Sequence, residues 1–240
     1  MNPVDGGMLD AGLAEAFLAE RLGRWYGVYP ALVADVRDPD SQGRVKIQLP
    51  WSPDADGGSY EAWARTATLM GGRNRGTWMI ADEGDEVLVA FEAGDPRRPY
   101  VVGGLWNGAD TPPVAMDGAG SNHRKVVRSR NGVQVTLDDS DGHEALILET
   151  PGGQRIALRD GPASIELADA NGNTVRLDAG GITITTSAKL TISSGNAEVS
   201  AATLTANAGT SKFSGMVQAD TVQTPTAIAS AYMPGAGNVW

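Results

Sequence analysis

Between residues 126 and 213 the apolar side chains come in alternating pairs: Val133/Val135, Leu146/Leu148, Ile156/Leu158, Ile165/Leu167, Val175/Leu177, Ile182/Ile184 and Leu190/Ile192. A spacing of two puts both members of a pair on the same side of an extended strand. Between the pairs stand Asp141-Gly142, Gly152-Gly153, Asp160-Gly161, Asn171-Gly172 and Gly180-Gly181, residues that accept the backbone of tight turns. The pattern predicts short strands that turn at regular intervals and show one narrow apolar stripe. A lone flat sheet cannot hide such a stripe from water. Either the chain coils on itself as a solenoid or identical copies wrap round a common axis, and both arrangements give a rod.

Period two also governs the region upstream. Leu32, Ala34 and Val36 alternate, and after the turn at 38–43 so do Val45, Ile47 and Leu49, which predicts a hairpin with polar residues outward. Further strands are expected at 63–69, 76–80, 86–91 and 100–105. Several short strands with no helical pattern between them suggest a small closed barrel of the OB type. Helical spacing occurs only over 8–24, where Leu9, Leu13, Ala16, Phe17 and Leu22 make an amphipathic segment. The expected class is therefore all-β with an N-terminal helix. The divisions are a helical segment at 1–26, a barrel at 27–108, a Gly/Pro-rich linker at 109–125, a stem at 126–215 and a tip at 216–240.

Charge narrows the functions open to such a barrel. The chain carries a net charge of −10, and between residues 28 and 107 eight Arg or Lys stand against twelve Asp or Glu. A barrel of that sign is a poor nucleic-acid site, because phosphate affinity rests on Lys and Arg. The one basic run, at 123–130, reads as a solvated first strand of the rod. With no cysteine the chain has neither disulfides nor a thiolate zinc site.

Candidate chemistry is sparse. His123 and His143 fall in a linker and a turn and belong to no H-E-x-x-H motif. The loop at 71–76 is Gly-rich but lacks the Lys-Ser/Thr ending of a phosphate cradle, and Asp138, Asp139 and Asp141 sit where turns favour Asp. No catalytic residue, cofactor-binding residue or metal ligand is assigned, and the expectation is a non-enzyme. The N-terminus has no positive n-region followed by an apolar run, and no apolar stretch approaches the length that spans a bilayer. Synthesis as a soluble cytoplasmic protein is expected.

An ordered set of fragments carries a resemblance. Gly27-x-Tyr29, Val36-Arg-Asp-Pro39, Gly43-Arg-Val45, Leu49-Pro-Trp51, Ala64-Arg65, Gly84-Asp-Glu-Val-Leu-Val-Ala-Phe91, Gly94-Asp-Pro-Arg-Arg-Pro99 and Val102-Gly-Gly-Leu-Trp-Asn-Gly108 resemble the OB domain of contractile-tail spike proteins. That family includes phage baseplate assembly protein V and the spike part of VgrG. The resemblance implies a barrel followed by a trimeric, intertwined β-helix that punctures a target cell envelope. It also implies a separate hub protein at the barrel end, since the chain lacks room for the hub domain of VgrG. The apical iron site of some relatives is not carried over, because no histidine follows position 143. Two other classes stay open: a β-solenoid enzyme acting on surface polysaccharide, which is poorly served by a single aromatic, Phe213, in 126–213, and an OB-fold nucleic-acid binder.

Beyond residue 183 only Lys189, Glu198, Lys212 and Asp220 are charged, and Ala, Thr and Ser dominate. An uncharged end is costly to leave in water. Tyr232, Met233, Pro234, Val239 and Trp240 are therefore the candidate tip residues, either closing the apex among three copies or seating a PAAR-like tip protein.

Overall fold

The computed structural model describes residues 23–53, 57–226 and 228–230. Tyr232, Met233, Pro234, Val239 and Trp240 lie outside them, as does the helix expected over 8–24 except for its last two positions. The chain divides into two units, Met1–Ala188 and Lys189–Trp240.

The first unit opens with β1 (Val28–Asp35), β2 (Val45–Pro53), β3 (Ser59–Thr66), the short hairpin β4 (Gly71–Gly72) and β5 (Arg75–Gly76), then β6 (Glu86–Phe91) and β7 (Pro99–Gly104). Five of these close into a barrel in the order β1-β2-β3-β7-β6. All neighbours are antiparallel except β3 and β7, whose register runs parallel from Arg65/Tyr100 to Thr66/Val101. Five strands in that order are the OB arrangement. Val45, Ile47, Leu49, Val87 and Val89 are fully buried, joined by Ala31, Val33, Ala64, Phe91 and Val101.

On β1 the inward face is not the one the sequence suggests. Ala31 and Val33 are buried while Leu32 and Val36 are exposed. Residues 31–34 are apolar without interruption, so alternation does not choose a face there, and pairing with β2 and β6 does. The strand expected at 76–80 is replaced by the β4–β5 hairpin and extended chain.

The second half of this unit is a seven-stranded antiparallel sheet in strict sequence order. Its strands are β8 (Arg124–Arg128), β9 (Gln134–Asp138), β10 (Ala145–Glu149), β11 (Arg155–Asp160), β12 (Ala163–Ala168), β13 (Thr174–Asp178) and β14 (Gly181–Thr185). Each predicted pair from Val133/Val135 to Ile182/Ile184 falls on or beside a strand. Every strand from β8 to β14 pairs with its neighbour in the same chain. Turns of a few residues, such as Thr150–Gln154 (Thr150 N–H to Gln154 O, 3.0 Å), return the chain before another copy could intervene.

In the second unit the described residues hold no helix and no strand, and all are exposed. Leu190 and Ile192 are thus not on a strand of this chain. No backbone-to-backbone hydrogen bond joins the described residues beyond 188.

Candidate functional site

Register assigns every side chain of the seven-stranded sheet to a face. One face consists of two apolar columns. Leu137, Leu146, Leu158, Ile165, Leu177 and Ile182 are successive cross-strand partners, and so are Val127, Val135, Leu148, Ile156, Leu167, Val175 and Ile184. None of the described residues covers them: from Leu146 to Ile182 the large exposed members range from 38% to 72% accessible. A continuous apolar surface two side chains wide, six strands long in one column and seven in the other, with Lys125 ending the shorter one, marks an interaction face.

The opposite face carries an ionic network beside buried Thr136, Ala157 and Ser164. Arg155 Nε meets Glu149 Oε1 at 2.9 Å and its Nη1 reaches Glu166 Oε1 at 3.6 Å; Arg176 joins the same Glu166 (3.2 Å) to Asp178 (2.7 Å). The resulting chain of alternating charge crosses β10, β11, β12 and β13. A side of that character belongs in water, so the sheet has an outer face and a face awaiting cover. A shallow polar depression at the ionic side is lined by Arg128, Gln134, Glu149, Thr150, Gln154 and Arg155, with no aromatic ring against which a sugar would stack.

The barrel presents two further features. Trp63, the outward aromatic of β3, has Arg44 and Lys46 over its ring at 5.7 and 5.5 Å, so the ring is taken by cations rather than offered to a base. Arg44 is itself tied to Asp38 (2.6 Å) and Asp40 (2.6 Å). The Asp38 carboxylate is held far below the usual carboxylate range by the Arg44 guanidinium, aided by N–H groups of Asp40, Gln42 and Arg44.

At one end of the barrel Trp25 lies among Trp51, Tyr60, Phe91 and Tyr29, with ring centroids 5.1 to 6.2 Å away. The Trp25 backbone N–H donates to Gly94 O at 2.8 Å. Gly94 has φ +77, and a Cβ there would sit 3.1 Å from Arg24 Cβ and 3.2 Å from the Tyr26 ring. The fragment Gly94-Asp-Pro-Arg-Arg-Pro99 thus seats the chain that leads into β1. Its Asp95 is lowered to about 2 by the Arg97 side chain and backbone.

The two histidines make backbone contacts, His123 Nδ1 near Asp139 O (3.2 Å) and His143 Nδ1 near Gly161 O (2.9 Å). Among the described residues no group of three or more His, Asp or Glu is placed to hold a metal ion. The basic run is largely paired, Arg124 with Asp138, Lys125 with Asp139 and Arg130 with Asp82, which is the behaviour of a solvated strand. No described helix is long and apolar enough to cross a membrane.

A closed OB barrel followed by a sheet with one uncovered apolar face defines a modular protein whose second part completes itself by association. Comparison with known families says which kind. Residues 29–106 match the type VI secretion system/phage-baseplate injector OB domain, and residues 145–210 match the phage baseplate V C-terminal trimerisation domain. Among curated proteins, the chain is 28% identical over 128 residues to the type VI secretion system spike protein VgrG1b of Pseudomonas aeruginosa, covering 50% of this chain and 17% of that protein. VgrG4b of the same organism is 32% identical over 132 residues, 53% of this chain and 16% of that protein. VgrG5 is 40% identical over 79 residues, 32% of this chain and 10% of that protein. The chain belongs to the family of phage-baseplate and VgrG-like spike proteins. It matches less than a fifth of the length of each of these relatives.

Proposed function

We propose that three copies of this chain form the central spike of a contractile injection machine, with the barrels at the baseplate and the stem directed at the target cell envelope, which it punctures. The observation that carries this is the two-column apolar face of the sheet. Three such faces turned inward make a prism whose core is apolar and whose outside is the ionic network. Beyond Lys189 the exposed Leu190, Ile192, Val199, Leu204, Phe213 and Val222 and the unpaired backbone call for partners from other chains. Intertwining therefore belongs to the segment after residue 188, whereas each chain folds the sheet for itself. The role is mechanical: the stem resists bending because many ladder bonds must break together.

A separate hub protein at the barrel end, and a PAAR-like tip protein or a self-made cap at Tyr232, Met233, Pro234, Val239 and Trp240, complete this reading. The decisive experiment is a mass measurement in solution, expected to give three times 25.0 kDa. A monomer at micromolar concentration would sink the reading. Deleting residues 231–240 should leave that mass at three copies and abolish tip-protein binding or lower the melting point of the apex. If both stayed unchanged, the terminal residues would have no part in the apex.

A further inference from the structure

One rigid projection of the barrel has no place in the spike described so far. The chain from β3 to β6 is fixed at its base: Ala67 N–H donates to Val101 O (2.8 Å), Thr77 N–H to Met70 O (3.0 Å) and Thr68 Oγ1 to Thr77 O (2.7 Å). The Trp78 ring rests on Gly43, where φ is +71 and a Cβ would lie 3.0 Å from Trp78 Cζ3. Held this way, the hairpin still turns Leu69 (95% exposed), Met70, Trp78 (77%) and Met79 to solvent. Large apolar and aromatic side chains gathered on one anchored loop are the makings of an interface.

Charge indicates what covers it. Arg37, Arg44, Lys46, Arg97 and Arg98 are ion-paired within the barrel, and Arg65 stacks on Tyr100. Arg73 and Arg75, at the hairpin tip, form no ion pair among the described residues. Among the described residues, the barrel acids with no ion pair to a barrel cation gather in the turn into β6. Glu83 is exposed and forms no ion pair, although its charge acts on Arg37, Asp85 accepts the Asp82 N–H, Asp82 is ion-paired with Arg130, and Glu86 accepts from Asn107.

We infer that the hairpin of residues 69–79 docks on the acidic turn of residues 82–86 of a second copy of this chain, so that three barrels close into a head-to-tail ring. The occupant is another copy because the acid that complements Arg73 and Arg75 is on this barrel. In addition, a shared stem holds three barrels at the roughly millimolar effective concentration of tethered modules. A heterologous contact of this kind closes under threefold symmetry without leaving an open end. The contact presupposes the trimer proposed above, and its test separates the two.

The chain has no cysteine, so Arg75→Cys with Glu83→Cys in the full-length protein gives an unambiguous crosslink. Oxidation should produce a covalent trimer on a non-reducing denaturing gel, and light scattering should give the trimer mass before oxidation. A trimer that yields no inter-chain disulfide, or only an intra-chain one, overturns the ring and leaves the spike standing; a monomer overturns both. Charge reversal supplies a second reading. Arg73→Glu with Arg75→Glu should abolish the amide-exchange protection of residues 69–79 in the trimer, and adding Asp82→Arg and Glu83→Arg should restore it. Protection that is absent in the native trimer, or that the added pair fails to restore, rejects the contact.

Discussion

The barrel and the stem sheet are written in the same alternating code and end in opposite states. In the barrel, Val45, Ile47 and Leu49 of β2 and Val87 and Val89 of β6 reach zero exposure, because the five strands return on themselves and the apolar side of each faces the others. In the sheet, Leu146, Leu158, Ile165 and Leu167 stay near two-fifths exposed although their ladders are complete. Hydrogen bonding therefore does not separate the two regions. Closure does: strand pairing decides the local shape, while burial of the second face decides whether one chain suffices. The barrel is a finished fold, and in the trimer proposed above the stem is one third of one.

The sharpest way to break this comparison is to charge the stem face. Leu158→Asp with Ile165→Asp places carboxylates side by side in one apolar column, and the expected result in light scattering is a fall from trimer to monomer with the barrel still folded. A smaller effect is expected from Ile47→Ala, which should cost the barrel about 2–5 kcal/mol in denaturant unfolding at unchanged mass. The same truncation at Leu148 should depend on protein concentration, because its cost is felt only in the assembled state. Gly94→Ala should loosen the seat of Trp25 and lower the barrel melting point by an amount consistent with about 1–3 kcal/mol of strain at a positive φ. Least of all, Glu166→Gln removes the shared partner of Arg155 and Arg176 on the ionic face. It should cost no more than about 1 kcal/mol, and less in high salt.

Acid should separate the regions in a different way. The carboxyls of Asp35 and Asp95 are lowered from 3.8 to about 2, the first by the Arg37 side chain and backbone and the second by those of Arg97. A lowered folded pKa means stabilisation that is complete above the unfolded value and disappears as pH falls through the folded one. The barrel melting point should thus decline between about pH 4 and pH 2, and Asp95→Asn should flatten part of that decline. The apolar columns hold no titrating group, so subunit contact through them should be less sensitive over the same range.

Much of this contrast is legible in the sequence, and the failures are instructive. The strands from Val133 to Ile184 are readable because each has one apolar side and a turn residue at each end. Face choice on β1 is not, since an unbroken run from Ala31 to Ala34 satisfies either register. Leu190 and Ile192 look like one more strand, yet the described chain offers them no neighbour; periodicity reports which side is apolar and says nothing about who pairs with it. The pair of cations over Trp63 and the absence of an ion pair at Arg73 and Arg75 depend on distances between segments apart in sequence. The candidate tip, Tyr232 to Trp240, rests on composition alone and lies outside the described residues.

The two outer strands of the sheet differ in a way that bears on the life of a newly made chain. The free edge of β8 carries Arg124, Lys125 and Arg128, whereas β14, Gly181–Thr185, presents Ile and Thr with no charge at all. A bare edge of β-branched residues is a template for any passing strand, and charge is what ordinarily discourages such pairing. Until two sister chains arrive, the chain is thus exposed to aggregation at one end of its sheet and protected at the other. Slow synthesis or dilution lengthens that interval, so the yield of soluble spike should be set by how quickly three chains meet, rather than by how stable the finished spike is.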